Sequence, residues 1–192
     1  MADIDYFVQK SRRRTLSLTV KADGTVVVKA PLFVRNAEIK RFVDSHADWI
    51  EKASLKNAAR NEKLSHVDKL SEAELKALKK KARELIMPLV EDYAEIMGVT
   101  YGTVAIRAQK TRFGSCSGRG NLNFNCVLAL CPEGVMRYVV VHELCHRKHM
   151  NHSKAFWNMV EEYMPDYREH RLWLKRNGDV LTAKIDRQEN GI

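Results

Sequence analysis

The chain has 192 residues, 45% hydrophobic and 30% charged, with 9 glycines and 4 prolines. Those proportions exclude a disordered chain, a collagen-like fibre and a small disulfide scaffold, and a chain of this length can bury a core without disulfides. The 33 basic residues outnumber the 24 acidic ones, for a net charge of +9, which permits an anionic partner without requiring one.

Residues 4–30 read as strands. Leu16, Leu18 and Val20 alternate with Ser17, Thr19 and Lys21, the period of a half-buried strand. Asp23-Gly24 followed by Thr25 to Val28 is a hairpin signal, and Pro31 ends the pair. Residues 36–97 read as mostly helical. Asn36 is the expected cap of a helix whose stripe is Ile39, Phe42, Val43, His46, Trp49, Ile50 and Ala53. Residues 54–70 are polar and predict a loop or frayed helix. Ser71 with Glu74 forms a capping box for a second helix that Pro88 should kink and Gly98 should stop. Strand character returns at 104–107 and 121–128. Helices follow from Pro132 and from Ser153, and a last short one is expected to close at Asn177-Gly178.

No apolar run approaches the roughly 20 residues of a membrane span, and the acidic start, Met1 to Asp5, does not read as a secretory signal. The four cysteines, Cys116, Cys126, Cys131 and Cys145, include no CxxC pair. Reduced thiols in a cytoplasmic protein are the expectation.

The chemistry concentrates in His142-Glu143-Leu144-Cys145-His146, an HExxH string. Residues four apart on a helix share a face, so both imidazoles can reach one ion at about 2 Å. Glu143 sits about 100° round the helix, placed to take a proton from the attacking water rather than to ligate. Val139-Val140-Val141 ahead of the motif suits a dry helix. His152 follows His146 after room for a turn and stands just before the Ser153 cap. Three imidazoles with an open fourth position make a catalytic coordination set. His149 is a weaker candidate, as ligand or as hydrogen-bond donor. Cys145 is a soft donor by type, but its angle round the helix points to core packing.

These residues, with Arg112-Phe113-Gly114-Ser115-Cys116-Ser117 and Asn151-His152-Ser153-x-x-Phe156-Trp157, resemble the YgjP-like metallopeptidase-type hydrolases, relatives of SprT-like and other zincin proteases. Ser11 to Leu18, Trp49-Ile50, Met164 to Tyr167 and Trp173-Leu174 extend the resemblance over residues 4–176. It implies His142, His146 and His152 as metal ligands and Glu143 as general base. The family pattern carries Trp where this chain has Phe113. In related zincins a strand at the cleft rim binds peptide, and 121–128 is the candidate here.

The expected fold is α+β, with the metal helix on a small, mostly antiparallel sheet. The expected organisation is one hydrolase domain over 1–176, made of an N-terminal hairpin plus helix (1–70) and a zincin-like catalytic core (71–176), then a polar tail over 177–192. The expected activity is that of a zinc-dependent hydrolase acting on a peptide or protein, away from membranes. Glu143 passes the proton it takes to the leaving amine, and His149, Arg112 or a tyrosine steadies the oxyanion. One alternative is a metal-dependent nucleoside triphosphate pyrophosphohydrolase, with Arg107, Lys110, Arg112 and Arg119 as phosphate contacts. Another is a nucleic-acid-associated SprT-like protease.

Overall fold

A computed structural model describes residues 4–185. They separate into two compact units on either side of the His66–Val67 junction. The class is α+β, with two three-stranded sheets and six α-helices among the described residues.

The first unit holds strands β1 (Phe7–Ser11), β2 (Ser17–Val20) and β3 (Val26–Pro31), in the order β1-β3-β2. Gly24 takes a φ of 86°, which an L side chain rarely adopts, so the Asp23-Gly24 turn joins β2 to β3 as an antiparallel pair. Helices α1 (Asn36–Asp44) and α2 (Ala47–Ser65) follow. Val26, Val28, Ala30, Ile39, Val43 and Ile50 form this unit's own core. Two expectations are corrected here. The single helix breaks at Ser45-His46, where the Ser45 hydroxyl donates to the Phe42 carbonyl (2.8 Å). Residues 54–65 stay helical, because Asn57 and Asn61 donate amide hydrogens to the carbonyls of Val20, Lys21 and Ala22.

The second unit opens with α3 (Glu72–Ile96), a 25-residue helix in which Pro88 removes one donor without ending the element. Its cap is the expected box: the Ser71 hydroxyl accepts from the Glu74 N–H (3.3 Å), and the Glu74 carboxylate accepts from the Ser71 N–H (2.9 Å). Strands β4 (Val104–Arg107), β5 (Gly114–Cys116) and β6 (Leu122–Asn125) form the second sheet in the order β4-β6-β5. A short 3-10 turn, Cys126–Leu130, then leads to α4 (Glu133–Cys145), α5 (Lys154–Tyr163) and α6 (Tyr167–Ala183). Helix α4 runs through the middle of this unit's core, with Val139, Val140, Val141, Leu144 and Cys145 all buried among Ile86, Val90, Phe124, Phe156 and Val160.

Three details differ from expectation. Each sheet is mixed, with one parallel and one antiparallel pairing, rather than mostly antiparallel. The strand expected over 121–128 ends at Asn125, whose side-chain oxygen caps the 3-10 turn by accepting from the Val127 N–H. The last helix does not close at Asn177-Gly178. It runs to Ala183, with Leu181 and Ile185 in the core, and residues 186–192 of the expected tail lie outside the described residues. The Lys69 ammonium donates to the Ala183 carbonyl (2.6 Å) and the Leu70 N–H to the Lys184 carbonyl (2.9 Å), fixing this end of α6 to the segment before α3.

Candidate metal centre and active site

His142 lies in the last turn of α4, and His146 is that helix's C-cap. One turn separates them, and their ring centroids are 5.1 Å apart. Backbone bonds from Arg147, Lys148 and His149 to the Leu144 and Cys145 carbonyls turn the chain after the helix. His152 then returns toward α4, just before Ser153, whose hydroxyl caps α5 by accepting from the Phe156 N–H. Its ring centroid is 4.9 Å from those of both other histidines. One donor atom from each of the three lies within 4.8 Å of the other two.

The protonation of these rings follows from their surroundings. Burial, reinforced by His146, His152 and Arg171, lowers the His142 pKa to about 3. Burial also lowers that of His146. Both rings are therefore neutral near pH 7, the form that ligates. The His146 Nδ1 lies 2.9 Å from the His149 carbonyl oxygen, so Nδ1–H donates and Nε2 keeps its lone pair. The Nε2 atoms of His142 and His152 approach to 3.0 Å, and the buried His142 Nδ1 has no partner. His149 thus contributes its carbonyl, and its side chain lies outside the three-histidine cluster.

Glu143 is buried at 5% exposure and borders the same cleft. Its carboxylate packs on the backbone of Gly114, where a methyl group would fall 2.5 Å from Oε1 and 2.7 Å from Cγ. Burial raises its pKa to about 8, partly opposed by the Arg112 guanidinium. Cys145 is buried in the core, with its thiol pushed up to about 12 by burial, so it stays protonated.

The other walls of the cleft carry no mark in the sequence pattern. Cys116 and Met150 line the cleft beside the histidines. An adjoining hollow of about 210 Å³ is lined by Phe113, Gly114, Tyr138, Val139, His142, Glu143 and Leu174. Burial pushes the Tyr138 hydroxyl up to about 12, so it keeps its proton. The candidate rim strand is also corrected. β6 is the central strand, paired on both edges, so it cannot accept a peptide, whereas β5 is an edge strand that borders the cleft. β5 has three residues, too few for any period to mark it.

The sequence profile of the YgjP-like metallopeptidase domain matches residues 14–76 and 60–177. The chain belongs to the YgjP-like family. This places it among metal-dependent hydrolases. A curated relative, the UTP pyrophosphatase of Escherichia coli (strain K12), is 34% identical over 65 residues, which span 32% of this chain and 39% of that protein. Two solved structures are also similar. The zymogen of Pyrococcus abyssi abylysin matches 47% of this chain and 93% of its own at 26% identity and a TM-score of 0.43. That of Methanocaldococcus jannaschii jannalysin matches 48% and 95% at 22% identity and 0.44.

Proposed function

We propose that the chain is a zinc-dependent peptide hydrolase in which His142, His146 and His152 hold the ion and Glu143 is the general base. The observation that carries this reading is the convergence of three imidazole nitrogens within 4.8 Å beside a buried carboxylate that is not one of them. The donor set fits zinc. Imidazole nitrogen suits zinc, whereas magnesium takes oxygen. The Nε2 atoms of His142 and His152 lie 3.0 Å apart, close enough for one cation to take the place of the hydrogen bond between them. Held by these three histidines, zinc would supply Lewis acidity toward the attacking water and the substrate carbonyl.

The chain's own residues do the rest. A Glu143 carboxylate oxygen takes the proton from the attacking water and delivers it to the leaving nitrogen. Gly114 makes that carboxylate's position possible, because nothing but a hydrogen fits between them. Burial raises the Glu143 pKa to about 8, and a dication bound beside it would lower it again, favouring the carboxylate that takes the proton. Tyr138 keeps its proton and lines the hollow beside His142, so its hydroxyl is an available donor for the oxyanion. The free edge of β5 can take an extended peptide by strand addition, and the hollow walled by Phe113, Val139 and Leu174 receives an apolar side chain. Four unpaired cysteines agree with a reducing, cytoplasmic setting.

A second reading, nucleoside triphosphate hydrolysis, draws on the name of the Escherichia coli relative. Of the four basic side chains expected to contact phosphate, Arg112 is the one with an electrostatic effect on Glu143. Metal analysis of the wild type and His152→Ala, followed by parallel peptide and nucleotide substrate panels, tests both readings. We expect one zinc per wild-type chain, much weaker retention in His152→Ala, and peptide cleavage. Full zinc retention by His152→Ala removes the third ligand, and turnover of nucleotides without peptides refutes the peptide reading.

A further inference from the structure

We propose that Trp157 is the positioning residue for the third histidine, presetting the His152 ring by stacking where a hydrogen-bonded partner would ordinarily do so. The inference rests on the metal-site reading above and adds to it the means by which an exposed ligand is held.

The three histidines are held in different ways. His142 is fixed by the helix and by the core around α4. His146 is oriented through Nδ1 by the His149 carbonyl. His152 lies in the connection between α4 and α5, and its side chain is exposed. The hydrogen bond that its ring makes is to the His142 Nε2, the same atom an ion would claim. Ligating imidazoles usually have their second nitrogen held by a carboxylate or carbonyl, and an exposed ring without that restraint must give up rotamer freedom when it binds.

The indole of Trp157 supplies the missing restraint. It lies nearly parallel to the His152 ring, at 23° and 5.6 Å between centroids. Phe156 meets the same imidazole edge-on, at 85° and 4.8 Å. Trp157 is itself well held. It stacks on Tyr167 at 19° and 5.5 Å, and the Arg171 guanidinium lies 4.5 Å from its ring centroid. Offset stacks and guanidinium–indole contacts are both favourable geometries. The adjacent residues Phe156 and Trp157, in the first turn of α5, thus form a corner into which His152 fits, and α6 supplies the backing through Tyr167 and Arg171.

The test compares Trp157→Phe, which keeps an aromatic face, with Trp157→Met, which keeps apolar bulk and loses it. Zinc affinity is measured on the full chain by competition with a chromophoric chelator, and cobalt-substituted samples report ligand geometry by their visible spectra. Melting of the metal-free forms monitors folding separately. Loss of an orienting partner costs about 10–100-fold in metal affinity, so Trp157→Met should bind zinc that much more weakly, with an altered cobalt spectrum, while Trp157→Phe stays near the wild type. Equal affinity and spectra in the two variants overturn the proposal and leave the metal site standing. A wild type that binds no zinc overturns both. A measurement on the wild type does not depend on either variant folding: in the metal-free protein the His152 ring protons should resonate upfield through the indole ring current. Random-coil shifts there refute the preset geometry.

Discussion

Replacing Gly114 by Ala probes the proposed general base, Glu143, without altering that residue itself. The new methyl group would lie 2.5 Å from Oε1, 2.7 Å from Cγ and 2.9 Å from Cδ of Glu143. Ordinary carbon contacts need about 3.5–4.0 Å, so the carboxylate must retreat by about 1 Å. It has no easy retreat, because Glu143 is 5% exposed and its helix is packed in the core. Backbone strain does not contribute, since Gly114 is not among the positive-φ glycines. A displacement of about 1 Å at a reacting group costs on the order of 10²-fold in rate, or about 2.7 kcal/mol of barrier. Overpacking should also lower stability by about 1–3 kcal/mol. The three histidines are untouched, so zinc content should remain that of the wild type. The assay is kcat/KM on whichever substrate the panels identify, with zinc stoichiometry and melting measured on the same preparation. Undiminished kcat/KM in a folded, zinc-replete Gly114→Ala protein would refute the argument, because the carboxylate would then not need its observed place.

Glu143→Gln should keep its zinc and lose about 10²–10⁴ in kcat, since the amide fills the same space but cannot accept a proton; an active, zinc-replete variant removes Glu143 from the mechanism. Gly178→Ala should destabilise by about 1–3 kcal/mol, although Gly-to-Ala changes inside helices usually stabilise, because the methyl would fall 2.6 Å from Cζ of Phe113; a raised melting temperature contradicts this. The metal-free protein should lose stability in both pH directions. Glu143 is raised from 4.5 to about 8 on folding, so the unfolded chain ionises first and stability falls as pH rises through that window. His142 is lowered from 6.5 to about 3, so the unfolded chain protonates first and stability falls as pH drops through that range. Melting curves of chelator-treated protein across both windows check this, and Glu143→Gln should flatten the alkaline slope alone.

What could be read in advance was local. The HExxH string announces a shared face because helical spacing fixes which side chains lie together, and the structure does bring His142 and His146 together with His152; Asp23-Gly24 announces a turn because few residues accept a φ of 86°. The stripe from Ile39 to Ala53 ran through the Ser45-His46 break unmarked, since periodicity records faces and not joints. Long-range partners left no trace. Nothing in Gly114-Ser115-Cys116 marks a strand, because its pairing with β6 makes it one. The Asn177-Gly178 pair reads as a stop because Gly often follows a helix. Here it is a packing device, a missing side chain that makes room for Phe113. The rim strand differs from expectation for a related reason: alternation marks a strand but not its place in the sheet, and β6 is central.

The course of α6 bears on synthesis and quality control. Leu174 walls the hollow beside Glu143, Gly178 seats Phe113, and Leu181 and Ile185 complete the core that surrounds α4. As the chain leaves the ribosome, every residue of the histidine cluster emerges well before these do. The first unit has its own core and can fold while translation continues, as domains generally do. The second unit's core is complete only once Leu181 and Ile185 have emerged. A nascent or prematurely terminated chain would therefore carry all three histidines and Glu143 without a finished wall beside them. Coupling the last helix to the cleft in this way ties the enclosure around Glu143 to completion of the unit.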